Sequence, residues 1–98
     1  MIEKDKGAYR VATPMVVAQA SSLLIAGREL LEAETEKDIV LDLAAVREAD
    51  SSALAVVFAL RRAAAARGLA LRLAHCPSSL LSLADLYGVE DSLPLAAD

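Results

Sequence analysis

The segment from Asp38 to Arg67 constrains this chain most. An apolar run of strand length, Ile39 to Leu43, leads through a connector, Ala44 to Ala49, into Asp50-Ser51-Ser52 and then an almost uninterrupted helical stretch from Ser52 to Ala66. Apolar residues on both faces of so short a run suit a buried parallel or central strand. The serines stand where a helix begins, in a turn whose backbone N–H groups lack intrahelical partners and whose dipole favours negative charge. As a minimum, one of these side chains caps the helix, worth about 1 kcal/mol against alanine.

The flanking sequence repeats the alternation of strand and helix. Ala8 to Thr13 reads as a short strand stopped by Pro14, and Val16 to Ala33 has helical spacing. There Leu23, Leu24, Ala26, Gly27, Leu30 and Leu31 recur at three- and four-residue intervals, with Arg28, Glu29, Glu32 and Glu34 assigned to the opposite, solvated side. Leu69 to Ala74 alternates with period two, after Gly68 as a C-cap. Ser78 or Ser79 is expected to cap a last helix that Gly88 stops. Met1 to Lys6 reads as a frayed charged tip, and Val89 to Asp98 as a tail docking Leu93 at most. Strand, helix, strand, helix, strand, helix in 98 residues predicts one α/β domain with parallel strand pairs and helices packed on the sheet.

Composition excludes several functions. With 3% aromatic residues the core must be built from Ala, Leu and Val, and a net charge of −4 argues against nucleic acid or an anionic membrane as partner. No run approaches the roughly 18 apolar residues of a membrane span, and Met1 to Gly7 lacks a signal-peptide core, so a cytoplasmic protein is expected. The single cysteine, Cys76, excludes an internal disulfide, and with the single histidine, His75, it is too few for a zinc site. The four glycines are scattered and form no phosphate loop. No catalytic constellation, cofactor site or metal site is expected.

The helix after Ser51 is apolar on two sides. Ala53, Val56, Val57, Leu60 and Ala64 form one face, while Leu54, Phe58 and Ala65 lie roughly opposite, beside Arg61 and Arg62. A helix resting on a sheet needs one apolar face. The second either packs on the first helix or meets a partner, and the high apolar fraction also allows a homodimer. Phosphate on Ser51 would be favoured by the helix N-terminus, yet would add roughly two negative charges beside Asp50, a change able to repel a partner.

The stretch from Ile39 through Asp50-Ser51-Ser52-Ala53-Leu54 to Val57 resembles the core of STAS domains, found in anti-sigma-factor antagonists and at the ends of anion transporters. The resemblance extends over most of the chain beyond Pro14, with Ala53 where many antagonists have glycine. Leu83-Ala84-Asp85-Leu86-Tyr87-Gly88-Val89 with Leu93-Pro94 is similar to the end of MlaB-type members, STAS subunits of a bacterial ABC transporter that maintains outer-membrane lipid asymmetry. The resemblance implies the STAS fold, a small mixed sheet with helices packed on it, trimmed at one edge because the segment before Pro14 looks too short for two strands. It also implies a non-enzymatic, cytoplasmic subunit at the inner membrane that binds the transporter's ATPase subunit. The alternative partner is an anti-sigma kinase, with Ser51 as phospho-acceptor. The expected partner-binding residues are Asp50, Ser51, Ser52, Leu54, Phe58, Arg61 and Arg62. A small-ligand carrier is a third class, for which the sequence offers no basic or glycine-rich pocket.

Overall fold

The computed structural model describes residues 1–96. The elements in order are β1 (Ile2–Asp5), β2 (Ala8–Val11), α1 (Val17–Glu32), β3 (Asp38–Asp42), α2 (Ser51–Ala66), β4 (Ala70–Ala74), α3 (Ser78–Leu86) and a 3-10 turn, Glu90–Ser92. The strands form one sheet in the order β1-β2-β3-β4, with β1 antiparallel to β2 and the other pairs parallel. This is the mixed α/β sheet that the alternation predicts.

One face of the sheet is the core. Tyr9 and Val11, Ile39 and Leu41, and Leu71 and Leu73 are buried, and the residues between them are exposed or half-buried. α1 and α2 close this face. Gly27 of α1 lets them approach: a Cβ there would stand 2.6 Å from Leu60 of α2.

The amino terminus corrects two expectations. Met1 to Lys6 is not a frayed tip and the sheet is not trimmed there, because Ile2–Asp5 pairs with β2 from Ile2↔Val11 to Asp5↔Ala8. The strand lies at the sheet edge, where Glu3 donates no apolar pattern but accepts from Arg10 across the strands at 2.6 Å. The hairpin turns at Lys6-Gly7. Lys6 has φ +56°, and a Cβ on Gly7 would sit 2.7 Å from the carbonyl oxygen of Asp38. Left-handed backbone is unfavourable for lysine and free for glycine. Lys6→Gly is therefore expected to raise stability by about 0.5 kcal/mol, read as a higher midpoint in urea denaturation.

Two further expectations change. The tail docks more than Leu93: Leu73 donates to the carbonyl of Pro94 and accepts from Ala96, both at 2.7 Å, so residues 94–96 pair with the outer edge of β4. Asp98 and the residue before it lie outside the described residues. Neither Ser78 nor Ser79 caps α3. Pro77 is its N-cap, and its carbonyl accepts from Leu80 and Leu81.

The largest departure is Glu34, assigned to a solvated side and in fact buried at 5% exposure. The Tyr9 hydroxyl donates to its Oε1 at 2.6 Å, and the N–H groups of Thr35 and Glu36 donate to its Oε2 at 3.0 and 2.9 Å. Lys4 Nζ lies 3.5 Å away. These donors, led by Tyr9, hold the Glu34 carboxyl down at about 2. Burial, with the carboxylate beside it, pushes the Tyr9 hydroxyl well above the usual phenol range.

Candidate functional site

Asp50 has extended backbone and is the N-cap of α2. Its Oδ1 accepts from the N–H of Ser52 at 2.9 Å and also from the Ser52 hydroxyl. Its Oδ2 accepts from the N–H of Val17, the first residue of α1, at 3.1 Å. One carboxylate thus caps two helices, and these hydrogen bonds, the Ser52 hydroxyl first, keep it below the ordinary aspartate value. A parallel bridge between Met15 and Ala49 brings the two helix starts together. At the far end, a guanidinium N–H of Arg67 donates to the carbonyl of Leu31. The two helices therefore run side by side in the same direction, fastened at both ends.

This arrangement separates the residues that sequence reasoning grouped. Asp50 and Ser52 are occupied with each other, and Ser52 is half-buried. Ser51 is exposed and lines a shallow cavity of about 360 Å³ with Leu54, Phe58, Tyr87 and Val89. Phe58 and Val89 continue into a neighbouring cavity of about 420 Å³ whose rim carries Arg61 and Arg62. Leu54 is buried and offers only its edge, while Phe58 is half-buried. Arg61 donates to the carbonyl of Ser92 at 2.8 Å.

The second apolar side of α2 thus faces the end of α3 and the 3-10 turn. Leu54 and Phe58 do not share the first-helix packing suggested for them; α1 meets the side bearing Val56, Ala59 and Leu60. The strip from Ser51 past Phe58 to the arginines is a mixed apolar and basic surface. The expected binding residues omitted its other bank, where Tyr87 is 57% exposed. An aromatic residue directly before a helix-ending glycine, Tyr87-Gly88, was the available signal.

The arrangement suits binding. Among the described residues no group of three or more His, Cys, Asp or Glu is placed to hold a metal ion, and no helix is long and apolar enough to cross a membrane. His75 Nδ1 lies 3.0 Å from Asp42 Oδ1, an exposed pair at the C-terminal ends of β3 and β4. Burial raises the Cys76 thiol above its usual value.

Comparison with known proteins adds the family. The family model described as Mlab, STAS domain matches residues 3–95. Among solved structures, Bacillus SpoIIAA in its phosphorylated form superposes with a TM-score of 0.68 at 12% identity, covering 100% of this chain and 91% of that one. Unphosphorylated SpoIIAA, described as an anti-sigma factor antagonist, gives 0.68 at 14%, with 100% and 86% covered. A sulfate transporter family protein from Wolinella succinogenes gives 0.67 at 20%, with 88% and 69% covered. At these identities the likeness shows the fold. None of the curated proteins compared matches the chain.

Proposed function

The chain belongs to the MlaB-type STAS domain family, and from that premise we propose that it is a non-enzymatic subunit that binds and supports the cytoplasmic ATPase of a bacterial ABC phospholipid-transport system. The observation that carries the reading is the exposed strip along α2, from Ser51 through Phe58 to Arg61 and Arg62, banked by Tyr87. Its apolar centre and charged rim are the anatomy of a protein interface. Co-expression with the transporter ATPase and its permease tests it: the three are expected to co-purify as one complex. Purification with an anti-sigma kinase and a sigma factor instead would overturn the assignment.

The exposure of Ser51 beside Asp50 favours one second reading, an anti-sigma-factor antagonist switched by phosphorylation. The two differ at a single residue. Under the transport reading, Ser51→Ala weakens ATPase docking by a few-fold and intact-mass analysis of protein from cells finds no phosphorylated form. Under the antagonist reading, Ser51→Asp abolishes kinase binding and Ser51→Ala holds it permanently on.

A further inference from the structure

α1 and α2 leave a groove between them on their outer side, of about 360 Å³. Its floor is made of small and apolar residues, Ala20 and Leu24 from α1 and Ala55 and Ala59 from α2, and Arg28 and Arg62 stand at its walls. Val17, 75% exposed, lies one helical stripe along from Leu24 and Arg28 and lengthens the apolar track toward the helix start.

The two arginines are level with each other. Arg28 is eleven residues beyond Val17 and Arg62 eleven beyond Ser51, the first residues of helices that start together at Asp50. At 1.5 Å per residue, each lies about 16 Å from its helix start, or three turns. Both are exposed, and among the described residues neither has a carboxylate within 4.0 Å. Arg10, Arg61 and Arg67, by contrast, are each engaged within the fold. In a chain of net charge −4, two unpaired guanidiniums at one height on either side of an apolar groove form a local positive clamp.

We propose that this groove receives an acidic amphipathic helix of the ATPase partner, with carboxylates of that helix paired to Arg28 and Arg62. The inference rests on the ATPase reading and adds the chemistry and direction of the contact. The groove is bounded by two helices pointing the same way, so an antiparallel occupant is favoured by the dipoles. Its C-terminus then lies near the two helix starts at Asp50, and its N-terminal turn, where Asp and Glu are most favourable, lies at the arginines. Alanines at 20, 55 and 59 let the backbones approach, and the planar guanidiniums offer paired donors to a carboxylate.

The test is the affinity of the full chain for the purified ATPase subunit, measured at low and high salt. For the double variant Arg28→Glu, Arg62→Glu, binding is expected to fall about ten-fold or more at low salt, with the difference shrinking as salt screens it. Ala55→Arg, which obstructs the groove and leaves both arginines in place, is expected to weaken binding comparably, while Arg28→Lys with Arg62→Lys retains part of it. All three changes are on exposed positions, and thermal melts confirm folding. Unchanged affinity in both the double glutamate variant and Ala55→Arg, alongside loss in a Phe58→Asp control, overturns the groove and leaves the ATPase reading standing. No binding by the unaltered chain overturns both.

Discussion

Replacing Glu34 by alanine is expected to lower the stability of the domain by about 3 kcal/mol, which for a chain of this size moves the thermal midpoint down by about 15 °C. The substitution removes the acceptor for the buried Tyr9 hydroxyl and frees the N–H groups of Thr35 and Glu36. A buried donor left without a partner costs more than the net worth of the bond it had made. Tyr9→Phe should cost less, because the carboxylate keeps its two backbone donors and Lys4. The pH dependence follows from the same bonds. The folded carboxyl titrates at about 2 against an ordinary glutamate value of 4.5, so its contribution is fully present above 4.5 and is lost as pH falls toward 2. At the alkaline end, the Tyr9 hydroxyl contributes as a neutral donor below its ordinary value of 10.0, and that contribution fades as pH rises past it. Urea denaturation between pH 2 and 7 measures this: the unaltered chain should lose stability across the acid window, and Glu34→Gln should lose markedly less. An equal acid loss in both would place the sensitive group elsewhere.

Phe58→Asp is expected to weaken ATPase binding by about 30-fold or more, in the range of a central aromatic anchor. Phe58 lines both cavities of the α2 strip, so it sits at the middle of the surface, with Ser51 at one end and the arginines at the other. An aspartate there places a charge in an apolar contact and alters the rim electrostatics at Arg61 and Arg62. Because Phe58 is half-buried against the core, Phe58→Ala serves as the companion variant. It should lose less affinity than Phe58→Asp while remaining folded by circular dichroism. Titration calorimetry with the purified ATPase gives both values. Affinity unchanged in the pair would remove the α2 strip from the interface.

The elements legible in the sequence were those with enough apolar residues to mark a period or a continuous run. β4 and α1 carry apolar residues at their own period, α2 carries them on two sides, and β3 is a continuous apolar run of which Ile39 and Leu41 are buried and Val40, on the other face, is half-buried. β1 was hidden because it is an edge strand whose Glu3, Lys4 and Asp5 are all exposed, so it has no apolar alternation to read. The pairing of residues 94–96 with β4 uses backbone groups alone and leaves no mark in side-chain type. Glu34 was misplaced for a different reason: in a run of Glu-Thr-Glu-Lys nothing distinguishes the one carboxylate that β2 and α1 enclose. At the candidate site, Asp50 and Ser51 were readable as a helix start. That Asp50 also reaches Val17, 33 residues earlier, could come only from the fold.

That reach has a consequence for how the molecule would respond to an event at Ser51. Asp50 accepts from α1 through Oδ2 and from α2 through Oδ1, so one carboxylate ties the starts of both helices together. A negative charge arriving at the neighbouring Ser51 hydroxyl would repel that carboxylate and so bear on the caps of both helices at once.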